Sequence, residues 1–354
     1  NTPWYTGVPL LEYLENVDIE EKTTEKGFYM PVQRVSRPNH TFRGFQGQVE
    51  AGTISVGDEI TTLPSNEKAH VKSLLVGDKK AETIEKGQPV TIQLDREVDV
   101  SRGCVLEKDT DIKVSSSITA TLLWMDDDIL ENGKNYFVKL GTKMIPGIVT
   151  EIVHTVDVNT GEEKKADKLS KNEIALCTIS LADKIVVDEF KNHKTLGELI
   201  LIDRVTNMTS ACGVVEKVNE GGEGLFAGRV DRNVRAALNG QKAVAIAFSV
   251  ERQGVSRSLL EKVEKELSIQ GKHTYLYAPG SEENISDVIK HLHHAGVITL
   301  LLVEEKYAST VRIASEEYYH VLPEDIKVET DEIVKYIDEL SAYDVRVAGN
   351  GEFI

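Results

Sequence analysis

Arg252 and Arg257 flank the start of an apolar-periodic segment, where two guanidiniums beside a helix N-terminus could build an anion site or simply stand in solvent. His291, His293 and His294 crowd into the last turn of another such segment. Three histidines invite a metal, yet no Cys or carboxylate is spaced to complete a tetrahedral shell, and histidines at a helix end also suit the dipole and solvent. Asp126, Asp127 and Asp128 could recruit a cation, although consecutive carboxylates also read as a solvated acidic turn. Arg37, Phe42, Arg43 and Phe45 crowd aromatic and guanidinium groups into one stretch. Such residues mark contact surfaces because each buries a large area while its planar group pairs with a partner; the alternative is two core phenylalanines and two arginines paired with local acids. Arg204 and Asn207, in the run IDRVTN, are contact candidates of the same kind. No GxxxxGK[ST], DxxG, NKxD or HxGH pattern occurs, so neither a nucleoside triphosphate nor guanine has its usual receptor. The chain itself is expected to hold no catalytic residue, metal or cofactor.

The elements that must carry these groups change character along the chain. Residues 1–26 open with Trp4 and Tyr5, show a short helical pattern at Leu10, Leu11 and Leu14, and pass into the charged stretch Asp18–Lys26, which reads as a linker. From 27 to 114, short β-rich runs containing Val49, Ile54, Val56 and Ile60 are punctuated by Gly47, Gly52 and Gly57, with Gly57-Asp58 as a tight turn; this is the cue for a small closed barrel. A second all-β block, 115–218, alternates LLW (122–124), YFVKL (136–140), EIALCTISL (173–181) and ELILIDR (198–204) with turns such as Asn132-Gly133. The EGGEG run at 220–224 makes 219–228 a hinge by composition. In 229–354 the period changes: AVAIAFS (243–249), YLY (275–277) and VITLLLV (297–303) are unbroken apolar runs, the form of strands buried on both faces. Helical patterns at Ser256–Gln270 and Ser281–Ala295 lie between them and stop at Gly271 and Gly296. Strand alternating with helix predicts a parallel, doubly wound sheet. The expected fold is thus multidomain, two β-barrels followed by an α/β domain.

Bulk properties agree with several domains, since 354 residues exceed one ordinary core. A net charge of −17, from 41 basic and 58 acidic residues, disfavours nucleic acid or an anionic membrane as the main partner. Cys104, Cys177 and Cys212 lie far apart without a CxxC, which suits reduced structural thiols. Val297–Val303 is too short to cross a bilayer and no signal peptide opens the sequence, so a cytoplasmic location is expected. The start at Asn1, without methionine, suits a fragment or a processed product.

Residues 27–218 resemble the second and third domains of translation-factor-type GTPases, the latter through LGELILIDRVTNMTSACGVV from Leu196. More narrowly, PWYTGVPLLEYLENVD at 3–18 and RPN…FRGF from Arg37 to Phe45 resemble the large, GTPase subunit of heterodimeric bacterial sulfate adenylyltransferase. The resemblance implies an upstream GTPase domain, absent from this chain, that would hold GTP and magnesium. It also implies a small catalytic subunit as partner, which joins ATP and sulfate into adenylyl sulfate while GTP hydrolysis drives that uphill step. Residues 1–26 would join the GTPase domain to the first barrel, and Arg37, Phe42, Arg43, Phe45, Arg204 and Asn207 would contact that domain or the partner.

The C-terminal block resembles adenylylsulfate kinase over Arg229–Leu340, through VDRNVRAALNGQKA (230–243), GKHTYLY and AGVITLL. A phosphate loop needs glycines so that backbone N–H groups can wrap the anion, then Lys for the phosphates and Ser or Thr for magnesium. By that likeness the glycines have become Val250 and Val255, the lysine Ser256 and the magnesium position Arg257; Gly254 remains, and Ser258 keeps a hydroxyl one place on. Glu251 adds a carboxylate facing the incoming triphosphate, and Ala278-Pro279-Gly280 replace the family's aspartates. The expectation is a degenerate, pseudokinase-like domain kept for packing or contact. Two other readings stay open: a translation-factor-like module whose barrels hold RNA, and a bifunctional subunit with a working adenylylsulfate kinase.

Overall fold

The computed structural model describes residues 3–17, 27–219, 230–280, 284–308, 311 and 318–343. The charged stretch Asp18–Lys26, the EGGEG run and Ser281 lie outside the described residues. Near the N-terminus the helix α1 (Leu10–Asn16) buries none of its residues, and Leu10, Leu11 and Leu14 are all exposed.

The first β unit runs through β1 (Phe28–Pro31), β2 (Arg34–Asn39), β3 (Phe42–Gln48), β4 (Thr53–Ser55), β5 (Glu59–Leu63), β6 (Glu67–Val76), β7 (Lys79–Ala81), β8 (Thr83–Glu85), β9 (Pro89–Leu94) and β10 (Val105–Lys108). Its strands pair antiparallel in the order β1-β10-β5-β6-β9-β3-β2, with β7 on β6 and β4 on β8. Glu50 N donates to Tyr29 O at 3.1 Å, which stitches the segment after β3 to β1 and wraps the sheet around its core. Alternation fills that core: β9 reads buried at Val90, Ile92 and Leu94 only, and these meet Phe28, Met30, Phe45, Ile54, Ile60 and Leu106. The turn before β5 forms where expected; Gly57 takes φ +93°, and the Asp58 carboxylate accepts from Ser55 N at 2.9 Å.

The second unit contains β11 (Lys113–Trp124), β12 (Leu130–Glu131), β13 (Asn135–Leu140), β14 (Lys143–Val156), β15 (Glu163–Lys164), β16 (Lys168–Leu169), β17 (Ile174–Val187), the one-turn helix α2 (Lys194–Gly197), β18 (Glu198–Ile202) and β19 (Thr209–Val218). The order β13-β18-β19-β11-β17-β14, with β14 also pairing β13, closes a six-stranded barrel without a free edge. The long strands β14 and β17 bend at register shifts, which lets them serve two sides of the barrel. Trp124, Tyr136, Cys177, Ile179 and Leu201 fill its interior, and burial pushes the Cys177 thiol up to about 12.

The two barrels share a third, smaller apolar cluster: Tyr29, Ala51, Leu63 and Val105 of the first meet Val186 and Leu196 of the second. Beside it Asp188 and His193 are buried as a pair, with Nδ1 and Oδ2 2.5 Å apart, and the Tyr29 ring stands edge-on to the imidazole at 4.9 Å.

After the helix α3 (Arg232–Asn239) comes a four-stranded parallel sheet of β20 (Ala245–Ser249), β21 (Thr274–Tyr277), β22 (Ile298–Val303) and β23 (Tyr319–Val321), ordered β21-β22-β20-β23. The helices α4 (Arg257–Ile269) and α7 (Thr330–Leu340) cover one face through Leu260, Val263, Leu267, Ile333 and Ile337, and α5 (Ile285–His294) with α6 (Glu305–Ala308) covers the other through Ile289 and Ala308. Apolar cover on both faces is why the strands lack polar alternation. The sequence did not announce β23, which is only three residues long and carries the polar His320 at its centre.

Candidate functional site

The loop from β20 into α4 stands where a phosphate cradle of this architecture would be, and the chain's own side chains occupy it. Arg252 turns away from solvent and donates to four carbonyls of a distant loop: Nη1 to Leu322 O (3.0 Å) and Pro323 O (2.8 Å), Nη2 to Glu324 O (3.2 Å) and Ile326 O (2.5 Å). It is neither a solvated arginine nor a free anion receptor. The Glu251 carboxylate accepts from Ser249 Oγ at 2.6 Å and from Glu305 N at 3.0 Å, and these two donors hold its pKa below the usual carboxylate range. Glu251 therefore ties the loop after β20 to the backbone N–H at the start of α6. Ser256 is the N-cap of α4, accepting from Leu259 N at 3.2 Å, and its hydroxyl also meets that of Ser258 at 3.2 Å. Arg257 pairs along the helix with Glu261 at 3.1 Å, on the surface. Gly254 takes φ +89° at the bend, while Val250 and Val255 flank it, Val250 exposed and Val255 packed toward the α4 side of the core.

In the first barrel Arg37 and Arg43 converge on one acid that sequence reading had not singled out. Glu97 accepts from Arg43 Nη1 at 2.7 Å and from Arg37 Nη2 at 3.2 Å. Arg43 is further tied to Val98 O (2.8 Å) and Val100 O (2.9 Å) and lies over the Phe45 ring, 5.2 Å from its centre. Phe45 is a core residue. Phe42 lies across Gly44, where any Cβ would come within 2.8 Å of the ring; only glycine admits that packing. Arg37 and half-exposed Phe42 remain the accessible members of the group.

Arg204 and Asn207 belong to one turn between β18 and β19. The Asp203 carboxylate accepts from Val205 N (2.9 Å), Thr206 N (2.6 Å) and Thr206 Oγ1 (2.9 Å), and Asn207 closes the turn at φ +59°, a conformation asparagine tolerates. Arg204 lies over the Phe137 ring at 5.3 Å and donates to Leu238 O of α3. Burial lowers its pKa.

The remaining clusters resolve into structure. His293 is buried, its Nε2 2.9 Å from Arg232 Nη1 and its ring 4.7 Å from that of Tyr318. Burial first, then the neighbouring guanidinium, pushes its pKa down to about 4, so it is neutral at physiological pH and accepts from Arg232. That use of Nε2 sets it apart from exposed His291 and His294, and it corrects the expectation that all three face solvent. In the acidic turn, Asp126 accepts from Ser210 Oγ at 2.6 Å, Asp128 O accepts from Trp124 Nε1 at 2.7 Å and Asp127 pairs with Lys171. Among the described residues no three His, Cys, Asp or Glu side chains converge as for a metal, and no helix is long and apolar enough to cross a membrane.

Comparison with known proteins places this geometry. A family model described as GTP-eEF1A C-terminal domain-like matches residues 117–216, which is the second barrel. Sulfate adenylyltransferase subunit 1 of Saccharophagus degradans is 41% identical over 221 residues, covering 62% of this chain and 47% of that protein. The subunit of the same name from Teredinibacter turnerae is 39% identical over 214 residues, covering 60% of this chain and 46% of that protein. The bifunctional enzyme NodQ of Rhizobium sp. (strain BR816) is 33% identical over 279 residues, covering 78% of this chain and 44% of NodQ. The chain thus spans less than half the length of these curated relatives. Among solved structures, Sup35 complexed with GMPPNP superposes with a TM-score of 0.52 at 22% identity, covering 62% of this chain and 54% of that one, a likeness of fold alone. The chain is similar to sulfate adenylyltransferase subunit 1 and to NodQ over most of its own length, and its second barrel matches the GTP-eEF1A C-terminal domain-like model.

Proposed function

We propose that this chain is the barrel and α/β part of a sulfate-activating subunit. In this reading its barrels relay the nucleotide state of a GTPase domain to a small catalytic subunit that makes adenylyl sulfate. The similarity to sulfate adenylyltransferase subunit 1, 39–41% identical over 214–221 residues, carries the reading, because a match of that length accommodates both barrels. The cluster shared by the barrels supports the relay: a tilt imposed on the first is passed to the second through Tyr29, Leu63, Val186 and Leu196. Arg37 and Phe42 form the accessible contact patch of the first barrel.

The α/β domain is, in the same proposal, an adenylylsulfate-kinase relative that transfers no phosphoryl group. The kinship rests on the resemblance of Arg229–Leu340; the match to NodQ, a bifunctional enzyme by name, covers 78% of the chain, more than residues 1–218, and so reaches into this domain. The internal use of Glu251 and Arg252 argues against phosphoryl transfer, because the loop 250–258 holds no lysine for the phosphates and its Arg252 is tied to the carbonyls of 322–326. The test is association: the chain, joined to a GTPase domain, should co-elute with the small subunit of a sulfate adenylyltransferase, and Arg37→Glu with Phe42→Ala should weaken that co-elution at unchanged melting temperature. Failure of every candidate small subunit to bind would remove the assignment. Incubated with ATP and adenylyl sulfate, the chain should yield no phosphorylated product; its appearance would restore the bifunctional alternative.

A further inference from the structure

The last carbonyls of a helix have no partner within it and carry its partial negative charge, so whatever donates to them also senses the helix direction. At the end of α3, Gly240 N and Gln241 N serve Ala237 O and Ala236 O. The second barrel supplies further donors: Asn135 Nδ2 reaches Ala237 O (3.1 Å) and Leu238 O (2.6 Å), and Arg204 Nη1 donates to Leu238 O. Asn135 and Phe137 stand on the same face of β13, and Phe137 carries the Arg204 guanidinium, so one strand and one turn together form a receptor for a helix end. Gly240, at φ +63°, is needed twice, because a Cβ there would meet the Asn135 amide at 3.2 Å.

On its other side α3 is locked into the α/β domain. The fully buried Gln241 donates to His273 O (3.0 Å) and Gly296 O (2.8 Å) and accepts from His273 N (2.9 Å), which ties the second residue beyond α3 to the segments that lead into β21 and β22. The same turn of the barrel touches the domain again, since Val205 fills the space a Cβ on Gly271, just beyond α4, would need. We propose that turn 203–207, with Asn135, is a releasable clamp that fixes the α/β domain on the second barrel through the C-terminus of α3, so that the two move as one body while it is closed. The inference does not depend on the sulfate-activation reading.

The clamp is polar and sits on the outer face of a barrel whose own core is complete without it, so its loss should free the domain without unfolding either part. The experiment compares the full chain with its Asn135→Ala/Arg204→Ala double variant. Protease cleavage between residues 219 and 230 should rise at least about thirtyfold for the variant, as expected when hydrogen bonds to a charged and a neutral donor are both lost, and the maximum dimension in small-angle scattering should increase. Hydrogen exchange in β11, β17, β20 and β22 should stay as in the parent chain. Unchanged cleavage and scattering would overturn the proposal, and so would loss of exchange protection in those strands, which would make the two residues part of the folding core instead.

Discussion

A guanidinium has five N–H donors in one plane, and Arg252 spends its reach on the carbonyls of Leu322, Pro323, Glu324 and Ile326. Lysine has no such fork. Arg252→Lys should therefore fail to rescue what Arg252→Ala loses: about 1.5–3 kcal/mol of α/β-domain stability, and slow amide exchange across 322–329, both measurable on the full chain. Sequence reading placed Arg252 at an anion site or in solvent, and it is at neither, because its partners lie some seventy positions along the chain. Separations of 60 and 54 positions likewise hid Glu97 from Arg37 and Arg43. Arg204 and Asn207 share one Asp-led turn, as their closeness in sequence suggests, yet Arg204 again finds its partners, Phe137 and Leu238 O, far along the chain. For Asp188, burial raises the pKa, but hydrogen bonds from His193, Glu189 N and Asn192 outweigh it and hold the carboxyl below its ordinary value. A depressed folded pKa contributes stability above the unfolded value, about 4, and loses it as pH falls through the folded value. The melting difference between the parent chain and Asp188→Asn should accordingly be full at neutral pH and shrink progressively below about pH 4.

At the scale of elements, the apolar runs around 245, 275 and 298 were readable as strands because two covered faces leave no polar alternation. The glycines at 271 and 296 ended their helices at positive φ, as glycine allows. What composition could not show is how an edge is guarded. β21 is the outer strand of its sheet, and Glu264 of α4 reaches across to accept from Leu276 N at 2.7 Å, filling an edge position that another strand could otherwise pair with. Glu264→Ala should therefore raise concentration-dependent self-association of the chain, read by light scattering, with little change in helix content. Ser256→Ala, which removes the α4 cap, should instead lower α/β stability by about 1 kcal/mol without promoting association.

Over the whole molecule, the apolar clusters of the barrels and those of the α/β domain have no residue in common, whereas the two barrels do share one. Calorimetry should therefore resolve two transitions, one for both barrels together and one for residues 230–343. The excess of 58 acidic over 41 basic residues should leave tRNA unbound in a filter assay at physiological salt; tight, salt-sensitive retention would favour the RNA-holding alternative. The common seam also bears on how the protein is made. Tyr29, Ala51, Leu63 and Val105 leave the ribosome well before Val186 and Leu196, so the first barrel waits with an oily stripe uncovered while 91 further residues, from Val105 to Leu196, are added. At about 5–20 residues per second that interval is roughly 5–20 s, ample time for a chaperone to bind the nascent chain or for two neighbouring chains to stick together.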